Sequence, residues 1–88
     1  MKSFLFLLFL FSHALHPVFS QSNLLESVKK NPDEAINICN KFRDFNSKGI
    51  SANSEKVIEY VSKKNNLTPV NAEIFSIYVI GLHCPDII

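Results

Sequence analysis

Residues 66–85 read NLTPVNAEIFSIYVIGLHCP, and the fold turns on how this stretch is placed. Thr68 has the side chain of an N-cap. Pro69 fits the first helical position, where its missing N–H costs nothing, and Glu73 sits near the positive end of the dipole. From Val70 to Leu82 the apolar residues, among them Ala72, Phe75, Ile77, Tyr78 and Val79, point almost everywhere around a helix axis. A helix that is apolar all round is buried by its neighbours or by a membrane. This one is too short and too interrupted to span a bilayer, which takes about 20 apolar residues. The expectation is a central helix covered by the rest of the chain. A strand is the competing assignment, since 74–80 is rich in β-branched and aromatic residues. The Thr-Pro start, the length and the lack of a partner strand upstream favour the helix.

Outward from that stretch, the N-terminus sets the compartment. Lys2 precedes an unbroken apolar run, FLFLLFLF at 4–11, and a more polar SHALHPVFS follows at 12–20. This is the layout of a signal peptide, with cleavage expected between Ser20 and Gln21 and 21–88 left as one small domain. The expected location is the periplasm or the extracellular space. Without 1–20 the chain carries eight basic and eight acidic residues and is neutral, so it offers no electrostatic footprint for nucleic acid.

The only two cysteines, Cys39 and Cys84, both lie beyond the expected cleavage point. In an exported chain such a pair reads as a disulfide with a single intramolecular connectivity. Closing so long a loop is worth about 4 kcal/mol on the chain-entropy model. A domain this small has a marginal core, and a staple of that size is a large share of its stability.

Three further helices are expected. Asn23–Lys30 places Leu24, Leu25 and Val28 on one face and closes with two lysines. Pro32 restarts the chain with Asp33 and Glu34 in its first turn. Ala35, Ile38, Cys39 and Phe42 then follow at helical spacing with Phe45 flanking, and Gly49 suits the C-terminal cap. Ser51 or Ser54 caps a third helix, in which Val57, Ile58 and Val61 make a stripe with Tyr60 at its edge. The fold class is therefore all-α: about four short helices around a central C-terminal one, stapled by Cys39–Cys84, with the third helix as a loop between the cysteines.

Chemistry-bearing patterns are scarce. The one histidine beyond 1–20 is His83, a dipole-compatible surface residue at a helix end. Its neighbour Cys84 lies about 100° away around the axis, a poor arrangement for a nucleophile and its base. There is no zinc-type spacing and no glycine-rich phosphate loop, with only two glycines in the chain. The sequence predicts no enzyme, no metal site and no cofactor.

Cys39 in a helix, Gly49 and Ser51 downstream, a Val-Ile stripe, the Ala-x-x-Phe segment Ala72–Phe75 and the pair Cys84-Pro85 together resemble domain-of-unknown-function family 732 over about 35–86. Members of that family are small secreted bacterial proteins with helices and a cysteine pair. The resemblance implies architecture and export, and it brings no activity.

The function expected is that of a binding or structural module, with an unknown protein partner or a second copy docking on the face of the last helix that the others leave bare. Tyr78 and Val79 are the candidate interface residues. A membrane-active or lipid-binding saposin-like protein is the alternative, weakened by zero net charge and a single cysteine pair, and a secreted inhibitor or effector of an enzyme is a third class. No nucleic-acid partner is expected, nor stable membrane insertion after signal cleavage.

Overall fold

A computed structural model of the chain describes residues 21–88. The expected signal peptide at 1–20, with its cleavage before Gln21, lies outside the described residues. Four α-helices follow one another: α1 (Gln21–Lys30), α2 (Pro32–Ser47), α3 (Glu55–Asn65) and α4 (Pro69–His83). Among the described residues there is no strand.

Each boundary has a local cause. Asn31 Nδ2 donates to the Ser27 carbonyl at 3.0 Å and so closes the last turn of α1, while Pro32 starts α2 one residue later. At the other end of α2, Gly49 takes φ 77°, which lets Ile50 N–H turn back to the Phe45 carbonyl at 2.9 Å. Ser54 caps α3 by accepting from Val57 N–H. Asn66 ends that helix in the left-handed region at φ 53°, a conformation asparagine tolerates better than most residues. Thr68 Oγ1 accepts from Asn71 N–H at 3.2 Å, and Pro69 opens α4 behind it.

α4 is the hub. It packs against all three other helices, most extensively α3, whereas α1 and α3 do not meet. α3 lies in the loop closed by the cysteines, as expected, and its Val57 and Val61 are fully buried in the shared core. Leu24 and Val28 of α1, Ile38 and Phe42 of α2, and Ala72, Phe75 and Val79 of α4 complete that core. Lys41 links α2 to α3 from above, its Nζ 5.3 Å from the ring centres of both Phe45 and Tyr60.

Cys39 and Cys84 are joined, with their Cα atoms 6.0 Å apart and 45 residues of sequence between them. Both sit inside the core. The bridge ties the middle of α2 to the end of α4, and the chain beyond it is held as well. Asn46 Nδ2 donates to the Ile88 carbonyl while its Oδ1 accepts from Ile88 N–H. Ala52 N–H donates to the same carbonyl, and Arg43 pairs with Asp86 at 3.2 Å.

α4 is central, as expected, and it keeps a bare face. Although its residues are apolar nearly all round, its neighbours bury only one side. Ala72, Phe75, Ser76 and Val79 face inward, and Val70 and Ile77 remain 67 % and 61 % exposed. Three short helices cannot encircle a fourth, so about half of its circumference stays in contact with water.

Candidate functional site

Among the described residues the exposed large apolar side chains are Ile36 of α2, Val70, Ile77 and Leu82 of α4, and Ile88, so α4 carries most of them. At 100° per residue, Val70, Ile77 and Gly81 fall on a single line, with Ile74 and Glu73 on either flank. Ile74 and Ile80 are half-buried, packed against the core from the edges of this stripe. Gly81 meets no atom within 4 Å at the position a Cβ would take, so the stripe ends in a flat, open stretch of backbone.

Beside the stripe, a cleft lies between α3 and α4. Its wider part, about 540 Å³, has Ile58 and Val70 among its apolar lining and Glu55, Glu59, Lys63 and Glu73 among its charged lining. A smaller cavity of about 190 Å³ continues it past Ile58 and Glu73 to Ile77 and Ile80. The shared Asn53, Ile58 and Glu73 make the two one continuous groove. Lys63 Nζ lies 2.8 Å from Glu59 Oε1. That hydrogen bond, helped by the opposite charge, holds the Glu59 carboxyl below its ordinary value and raises the Lys63 ammonium.

The two residues expected to form the interface separate. Val79 is fully buried in the core and is corrected to a packing residue: it lies half a turn away from Val70 and Ile77, on the side covered by the other helices. Tyr78 is half-buried against the core and borders the exposed stripe without lying on it. The face that is open runs through Val70 and Ile77 instead. A signal for it was present in the sequence, since Glu73 is the one charged residue of α4 and marks the wet side, and Val70 and Ile77 flank it at helical spacing.

His83, expected at the surface, is half-buried, and its Nε2 is closed off from solvent without a hydrogen-bond partner among the described residues. Cys84 beside it is committed to the disulfide, so the pair presents no thiol. No group of three or more metal-ligating side chains gathers among the described residues. No helix among them is long and apolar enough to cross a membrane.

The family described as Domain of unknown function (DUF8664) matches residues 25–84, more than half of the chain. The chain belongs to this family. The matched span runs from α1 through all of α4 to Cys84 and takes in both bridge cysteines, so the family covers the helical unit described above. The resemblance to family 732 gains no support from it; what stands is membership of a domain-of-unknown-function family under a different number. No curated protein and no solved structure matches the chain.

Proposed function

We propose that this chain is an exported protein-binding module that docks a partner in the groove between α3 and α4 and along the adjoining stripe of α4. The observation that carries the proposal is the pair Val70 and Ile77, exposed at 67 % and 61 % on a helix whose Ala72, Phe75 and Val79 are sealed on the opposite side. Leaving large β-branched side chains in water on a stable helix forgoes burial worth about 1.5–3 kcal/mol for each, and a docked partner recovers it. The scaffold suits such work. A core closed by α1–α3 and a staple at the end of α4 hold the groove walls rigid, which limits the ordering cost of binding. Export is supported by the apolar run at 4–11 and by a disulfide, which persists in oxidising compartments.

The test has two arms. Intact mass of the protein recovered outside the cytoplasm is expected to begin at Gln21 and to rise by about two hydrogens on reduction. A photo-crosslinking residue at position 77 is expected to yield one discrete adduct in the native host, while the same residue at the exposed Asn40 of α2 yields none. Equal labelling from both positions, or none from 77, removes the docking assignment.

A further inference from the structure

We propose that the occupant of the α3/α4 groove is a cationic amphipathic helix of a partner protein. This rests on the groove being the docking site and specifies what fits it. Charge comes first. The chain beyond residue 20 is neutral, yet the groove walls carry Glu55, Glu59 and Glu73 against one lysine, Lys63, which Glu59 already engages. The other basic residues do not line the groove: Lys29 and Lys30 end α1, Lys41, Arg43 and Lys48 belong to α2 and its C-terminal end, and Lys56 and Lys64 lie on α3 outside the lining. Negative charge is thereby gathered around an apolar floor of Ile58, Val70, Ile77 and Ile80, the pattern complementary to apolar anchors flanked by lysine or arginine.

Backbone chemistry then selects a helix over an extended segment. Both walls are helices whose main-chain groups beyond the first turn are bonded within themselves, so they offer no free edge for strand addition. An extended peptide would leave its own N–H and C=O groups unpaired against the apolar floor, whereas a helix arrives with its own satisfied. Spacing agrees: Val70 and Ile77 are two turns apart, ~10.5 Å along the axis, the same distance that separates anchors at i and i+7 of a helix laid alongside.

The experiment uses the protein produced from its full-length chain with the Cys39–Cys84 bridge intact. Three labelled peptides are titrated by fluorescence anisotropy: a helix with leucines at i, i+3, i+4 and i+7 and lysines on the flanks, the same helix with glutamates on the flanks, and a scramble of the basic one. The basic helix is expected to bind at least roughly tenfold tighter than either of the others and to weaken as salt rises. The variant Glu55→Lys with Glu59→Lys and Glu73→Lys is expected to invert the preference towards the acidic helix. Glu73→Lys alone shifts it in the same direction if the triple variant loses its helical circular dichroism. Equal affinity for basic and acidic helices, with both lost on Ile77→Asp, keeps the groove as a docking site and overturns its charge assignment. Binding of the scramble as tightly as the helix overturns the helical occupant. Co-sedimentation of the protein itself with phosphatidylcholine vesicles, lost on Ile77→Asp, assigns the groove to lipid, and self-association that blocks the basic helix assigns the groove to a second copy; either overturns the proposal. No peptide binding together with no crosslink from position 77 removes both the occupant and the docking site.

Discussion

The two sides of α4 are built from nearly the same kinds of residue and behave in opposite ways. Inward, Ala72, Phe75 and Val79 are sealed among α1, α2 and α3; outward, Val70 and Ile77 stand in water. Apolar composition therefore does not decide burial on this helix. Its neighbours do, and three helices of 10 to 16 residues suffice to close one side only. The inner side supplies stability, and the outer side is left free to be selected for something else.

The sharpest way to break that contrast is to truncate one residue on each side. Phe75→Ala is expected to cost about 3–5 kcal/mol in a denaturant titration, because it removes a ring from a closed core. Ile77→Ala, two positions along, is expected to stay within about 0.5 kcal/mol of the parent. Equal costs would mean that the outer side is also a structural one. Next in size is the staple. Replacing Cys39 and Cys84 together by serine is expected to cost about 2–4 kcal/mol, read as a lower melting temperature under non-reducing conditions, since the loop they close spans 45 residues.

A gain is expected on the outer side. Gly81 is helical, and a Cβ there meets open space, so Gly81→Ala is expected to stabilise by about 0.5–1 kcal/mol through helix propensity and a less flexible unfolded chain. A loss at this position would place something over the stripe in the free protein. The smallest effect belongs to Asp86. A hydrogen bond from Arg43, then one from its own backbone, holds its carboxyl below the ordinary range. Its contribution is present above the unfolded carboxylate value and disappears as pH falls through the lowered folded one. Asp86→Asn is therefore expected to melt slightly lower than the parent at neutral pH and to coincide with it in acid, the gap shrinking with salt because both partners are exposed.

Much of this architecture was legible residue by residue. Pro32, Ser54, Thr68 and Pro69 announce helix starts because their side chains and missing N–H do at a helix end what other residues cannot. Ala35, Ile38, Cys39 and Phe42 repeat at helical spacing and are all buried. The cysteine pairing followed from there being only two. The face of α4 was harder, because a helix apolar almost all round carries little directional information, and Val79 and Ile77 are chemically too alike to be told apart by type. Glu73 alone broke the symmetry. The partnership of α3 with α4 was hidden for a different reason: the stripe of Val57 and Val61 states that α3 has an inner side and leaves open what that side meets. The groove depends on that pairing, so it could not be drawn before the helices were placed.

The position of the bridge divides the molecule covalently as well as spatially. Between Cys39 and Cys84 the chain is a closed ring holding half of α2, all of α3 and all of α4, and α1 is the one described helix wholly outside it. α1 is joined to that ring through α2 and packs Leu24 and Val28 against the core. In the exchange of amide hydrogens for deuterium, α1 is expected to open while the ring stays shut. Its protection is expected to report a local undocking, and that of α4 the unfolding of the whole.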